Sequence, residues 1–179
     1  RLPTDVQPLK YTLNLVPNME KFTFSGKESI EVNIIKSTDQ IKLNATELLI
    51  SSAELTLQDG TVLPAKRIDM DDPSETATLY FDNFIPLGKA SLHTNFTGIL
   101  NDQLRGFYRS QYTGADGNEH TLVTTQFEAT DARRAFPCWD EPAIKATFQV
   151  TLAIPTDLVA ISNMPIEKET LVSKDVKVV

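Results

Sequence analysis

Histidine and cysteine are nearly missing from this 179-residue chain, which has two of the first, His93 and His120, and one of the second, Cys138. A lone cysteine excludes any internal disulfide and suits a reducing compartment, so a cytoplasmic setting is expected. The histidines stand far apart, with no His-x-x-x-His helix repeat and no Cys-x-x-Cys turn beside them, so no metal site is expected within the chain. Basic residues are outnumbered, 17 Lys and Arg against 24 Asp and Glu, for a net charge of −7. With no Lys/Arg-rich run, the electrostatic footprint of a nucleic-acid binder is absent. No stretch approaches the roughly 18 apolar residues of a membrane helix. The start, RLPTDVQPLKY, lacks the apolar run of a signal peptide. Neither a nucleic-acid nor a membrane partner is therefore expected. Two N-x-T triplets, Asn44-Ala-Thr46 and Asn95-Phe-Thr97, are the features that point toward secretion. A G-x-S-x-G elbow, a Walker loop and a dinucleotide fingerprint are also missing, so no complete hydrolytic site is expected here.

What is present is alternation. The chain is 41% hydrophobic, enough for a core at a length where folding buries about 70% of the unfolded surface. Most of it has period two, the mark of strands with one buried face. Tyr11, Leu13 and Leu15 alternate with polar residues, as do Ile30, Val32 and Ile34, then Ala77, Leu79 and Phe81. Phe148, Val150, Leu152 and Ile154 repeat the pattern. Asp59-Gly60 marks a hairpin turn, since both residues tolerate positive φ, and Gly114 to Asn118 reads as a second polar turn. No 3.6-residue stripe is sustained. The one helical candidate is a short turn over Asp131 to Ala135, capped by Thr130. These features predict an all-β, antiparallel unit of stacked, curved sheets with at most one helical turn, spanning residues 1–179 as one domain. Its last residues, Lys174 to Val179, read as a strand with nothing after it, as in a fragment.

One stretch departs from this pattern. TTQFEATDARRAFPCWDEP, Thr124 to Pro142, crowds carboxylates, arginines, aromatics and the only cysteine together. Cys138 has no histidine nearby to hold a thiolate, so it reads as a small buried side chain between Pro137 and Trp139. Phe136 and Trp139 read as core anchors. If Leu122 to Glu128 is extended, Gln126 and Glu128 share one face about 7 Å apart. Such a pair can grip a ligand, the glutamate through its carboxylate and the glutamine as donor and acceptor. From periodicity alone the plainer reading is a solvated polar face. Arg133, Arg134, Asp140 and Glu141 are expected to pair locally or across to a neighbouring domain and to aim the strand carrying Glu128. As exposed pairs they would contribute only about 0–1 kcal/mol.

Thr124 to Phe148, TTQFEATDARRAFPCWDEPAIKATF, resembles the signature of the zinc aminopeptidases of the aminopeptidase N type, and most of all their puromycin-sensitive members. RLPTDVQPLKYTLNL, FTFSGK, FTGILNDQLRGFYRSQYT and AISNMP match in the same order along the chain. The resemblance implies a saddle-shaped all-β N-terminal domain packed on a thermolysin-like catalytic domain. It implies that Glu128 binds the free α-amino group of a peptide together with a second glutamate from a G-x-M-E-N loop. Gln126 would help line the pocket for the first side chain. The G-x-M-E-N loop, the H-E-x-x-H zinc helix and the catalytic tyrosine of the family are all absent from this sequence. The zinc of the full-length enzyme would thus be bound elsewhere, and this chain alone would be inactive. A non-catalytic β-sandwich binding module, or a scaffold relative of the aminopeptidases, is the competing reading.

Overall fold

The computed structural model describes residues 1–179. Thirteen strands form in chain order: β1 Val6–Asn18, β2 Thr23–Ile34, β3 Thr38–Asn44, β4 Leu48–Leu57, β5 Val62–Pro64, β6 Arg67–Asp71 and β7 Thr76–Ile85. They continue as β8 Gly88–Ile99, β9 Gly106–Thr113, β10 Glu119–Gln126, β11 Thr147–Pro155, β12 Thr170–Leu171 and β13 Val176–Val178. The all-β expectation holds. The expected helical turn is present as a 3₁₀ turn at Ala132–Arg134, and a second, unforeseen one lies at Asp72–Ser74. Thr130 is not its cap: Asp131 occupies that position and makes no side-chain capping bond.

The strands make an eight-stranded sheet in the order β12-β13-β11-β1-β2-β8-β4-β5, a three-stranded sheet β3-β7-β6, and a separate hairpin of β9 and β10. All pairings are antiparallel except β1 with β11, which run parallel over Lys10–Leu15 and Thr147–Leu152. Alternation places one row of each strand inside. Phe24, Ile30, Val32 and Ile34 of β2, Leu92 and Phe96 of β8, and Leu55 of β4 meet Ile41, Leu43, Leu79 and Ile85 of the three-stranded sheet in one core cluster. Face-to-face packing of two inner rows is the ordinary way to bury sheets of this kind. Gly26 and Gly98 leave room for aromatic rings in this layer, since a Cβ at either would lie 2.3 Å from Phe96 or 2.4 Å from Phe24.

The buried row also holds an acidic residue among its apolar neighbours. Glu28 follows Phe24 and Gly26 in phase and is buried; its Oε1 accepts a 2.8 Å bond from the Thr94 hydroxyl, while Oε2 has no partner. Burial pushes its carboxyl well above the usual range, with the Thr94 bond opposing. β11 forms as a strand over Thr147–Pro155, but its first four residues are exposed on both faces. Phe148 and Val150 continue the inward row of Tyr11 and Leu13, yet remain 55% and 44% exposed. No helix of the chain is long and apolar enough to cross a membrane. Asn44, the first sequon residue, is buried, and its Oδ1 accepts from the Asp140 amide, so the folded chain does not present it to solvent.

Candidate functional site

The unusual stretch folds as a strand end, a turn and a packed loop. β10 pairs with β9 from Glu119–Thr113 to Gln126–Gly106, and there the ladder stops. Gly106 has φ +67, a left-handed conformation that turns the partner strand away and is easiest for glycine. The expected extension to Glu128 is therefore corrected: Gln126 is the last strand residue and Glu128 lies in the turn that follows. That turn is closed by the Asp131 amide donating to the Phe127 carbonyl at 2.9 Å, and its Glu128–Ala129 peptide is cis. Gln126 and Glu128 remain two residues apart, both exposed. The carboxylate is not buried by this chain, contrary to the simplest form of an anchoring site.

Behind the turn the chain is fixed firmly. Asn44 and Cys138 exchange backbone hydrogen bonds of 2.8 and 3.0 Å, and the Thr46 amide donates to the Arg133 carbonyl at 3.1 Å. This straps the loop to the end of β3. Phe136, Cys138 and Trp139 are buried as expected. Burial, with Asp140 and Glu28 nearby, raises the Cys138 thiol well above its ordinary value, and the closeness of Arg133 only partly opposes this. A thiol so placed is inert filler. Tyr11 accepts from the Trp139 amide at 3.2 Å, and burial above all raises its phenol. An aromatic run leads outward from it. Tyr11 stacks on Phe148 at 4.8 Å, Phe136 meets both edge-on, and Phe127 meets Phe136 edge-on at 5.8 Å. The residue just before Glu128 is thus packed against the core.

The charges of the loop do pair locally, Arg133 with Asp140 as expected and Arg134 with Asp131, but both arginines also take partners the sequence did not suggest. Arg133 Nε donates to Asp140 at 2.9 Å and its Nη1 to Glu75 at 3.1 Å. Arg134 donates to Asp131 at 2.8 Å and to Glu75 at 2.9 Å, and also meets Glu47. Glu141 instead accepts from the Leu2 amide at 2.8 Å. The arginine side chains are 11% and 10% exposed, so these are not the surface pairs anticipated. Burial works against the Arg134 charge, but Asp131, Glu47 and Glu75 outweigh it and hold the guanidinium above its ordinary value. Glu47 and Glu75 are left-handed residues, φ 58 and 51, at turns flanking β4 and β7. Because both arginines are taken up by these four carboxylates, Glu128 is left without a cation of its own.

The residues of this chain do not fit a zinc ion. No three His, Cys, Asp or Glu side chains converge as a ligand set. His93 faces Ser29 and Glu54 across the outer surface of the large sheet. His120 stacks on Tyr112 and lies 3.1 Å from Asp116 at the tip of the β9–β10 hairpin. No chemical step can be assigned to a metal from these groups.

Comparison with known proteins gives the context. The family described as Peptidase M1 N-terminal domain matches residues 7–179. The chain is 44% identical over 171 residues to aminopeptidase M1-B of Oryza sativa subsp. japonica, covering 96% of this chain and 19% of that protein. It is 44% identical over 170 residues to puromycin-sensitive aminopeptidase of Caenorhabditis elegans, with 95% and 18% covered. The alanine/arginine aminopeptidase of Saccharomyces cerevisiae is 43% identical over 175 residues, with 95% and 20% covered. The chain spans about a fifth of the length of these relatives.

Proposed function

Since the chain belongs to the peptidase M1 N-terminal domain family, we propose that it serves as the N-terminal domain of a zinc-dependent aminopeptidase, where Glu128 binds the substrate's α-amino group. The observation that carries this reading is an exposed carboxylate without an internal cation, on a turn whose flanks are locked by buried arginines. An exopeptidase must hold the terminal ammonium at a fixed distance from the bond it cuts, and a charge-assisted hydrogen bond to a fixed carboxylate does so. Gln126, last residue of β10 and two positions away, can both donate and accept, which suits a wall of the first side-chain pocket. The aminopeptidase names of the relatives support peptide substrates with free N-termini. Zinc and the catalytic residues would come from a catalytic domain outside these residues, and the single buried Cys138 accords with a cytoplasmic setting.

Two measurements bear on this. The whole protein should release residues singly from the N-terminus of a peptide and lose this activity when its zinc is removed. Internal cleavage, or no hydrolysis of any peptide, contradicts it, and the latter outcome favours the scaffold reading. Gln126→Ala should alter preference among first residues by about tenfold or less, the discrimination that one side-chain contact in a pocket provides. Equal losses in kcat/KM across a panel of aminoacyl substrates contradict the pocket role.

A further inference from the structure

The loop that follows Glu128 is tied, through Arg133 and Arg134, to Glu75, more than fifty positions earlier and at the edge of a different sheet. We propose that Glu75 is a positioning residue for Glu128, an inference that rests on the amine-anchor reading above. Glu75 stands just before β7, and its backbone is tied at both ends: its amide donates to Asp72 at 3.1 Å and its carbonyl accepts from Ala45 at 3.0 Å. Its carboxylate is therefore delivered from the rigid edge of the three-stranded sheet. One oxygen takes Arg133 and the other Arg134, a bridging, charge-assisted arrangement that fixes both guanidinium planes.

Arg134 passes this constraint on. Its Nε donates to Asp131, whose own amide closes the turn around Glu128 through the Phe127 carbonyl. On its other side Arg134 lies against Gly106, where a Cβ would come within 2.6 Å of the Arg134 Cβ. Gly106 is the register partner of Gln126. Arg134 therefore reaches the Gln126–Glu128 segment at both ends through one intermediary each, Gly106 opposite Gln126 and Asp131 at the turn, and Glu75 holds its guanidinium between them. Glu47 is a poorer guide, since its side chain is 47% exposed, against 31% for Glu75. When Glu75 is removed, Arg133 keeps Asp140 and Arg134 keeps Asp131 and the more exposed Glu47, so the loop stays folded while its aim loosens.

The test is a double-mutant cycle in the whole protein, reading kcat and KM on an aminoacyl substrate. Misplacing a binding group by about 1 Å can cost about 100-fold, so Glu75→Ala should lower kcat/KM by about 10- to 100-fold, chiefly through KM. The decisive readout is additivity. If Glu75 acts through Glu128, adding Glu75→Ala to Glu128→Ala costs nothing further, because residues acting as one unit are not additive. A full additional loss in the double variant, or a change within twofold for Glu75→Ala alone, overturns the positioning role and leaves the anchor reading intact. An unchanged Glu128→Ala removes the anchor reading and this inference with it. Should Glu75→Ala fail to fold, Glu75→Gln completes the same cycle, since it keeps one acceptor and the side-chain volume.

Discussion

Glu128→Ala in the whole protein is expected to lower kcat/KM on an aminoacyl substrate by about 30-fold to several-thousand-fold, equivalent to about 2–5 kcal/mol. The size of the loss is informative because two regimes are open to this carboxylate. Within the present chain Glu128 is exposed, and an exposed ion pair contributes only about 0–1 kcal/mol, or less than about fivefold. The larger range requires that the rest of the protein close over the turn and exclude water, so that the substrate ammonium meets a desolvated partner. A steady-state comparison of wild type and variant thus measures both the role of Glu128 and its covering. An unchanged kcat/KM removes the anchor. A loss below fivefold leaves it in contact with water and contradicts the desolvated site proposed.

The second large effect concerns stability. Arg133→Ala should destabilise the domain by about 3 kcal/mol, the lower end of the range for breaking a buried pair. The guanidinium serves Asp140 through Nε and Nη2, the latter to its carbonyl, and Glu75 through Nη1. The Asp140 side chain is 13% exposed and would keep the backbone amide of residue 133, at 3.4 Å, but no cation. Glu75 keeps enough contact with water to soften its share, which is why the lower end is expected. The single tryptophan, Trp139, is buried beside this network, so its fluorescence reports urea unfolding directly. A fall in the midpoint at unchanged slope is the expected signature. A change below about 1 kcal/mol would place Arg133 among ordinary surface charges and contradict the buried network.

The sheets were legible because alternation is a local signal. Tyr11, Leu13 and Leu15, or Ile30, Val32 and Ile34, declare their inner face without knowledge of their neighbours. The parallel pairing of β1 with β11 was not legible, since it joins Lys10 to Thr147 across most of the chain and nothing local encodes it. Alternation also ran too far at Glu128. The pattern of Thr124, Gln126 and Glu128 continues after the ladder has ended, because the limit is set by Gly106 on the partner strand. Nothing on this strand's own sequence announces that it ends at Gln126 or that Glu128 opens a turn. Glu47 and Glu75 were invisible for a related reason: each is a lone left-handed residue in a polar turn, and only the folded chain brings it to the arginines. Glu28 could have been found, as an acidic residue in phase with Phe24, Ile30 and Val32.

The central claim is that Glu128 reads the free amine of a peptide, and discrimination tests it more directly than rate. The measurement is competitive inhibition by one short peptide and its N-acetylated form, on wild type and on Glu128→Ala. Wild type should bind the free-amine peptide at least about 30-fold more tightly, in line with the energy assigned to the pair, and the variant should bind the two forms within a few-fold of each other. Full discrimination surviving in Glu128→Ala would contradict the account.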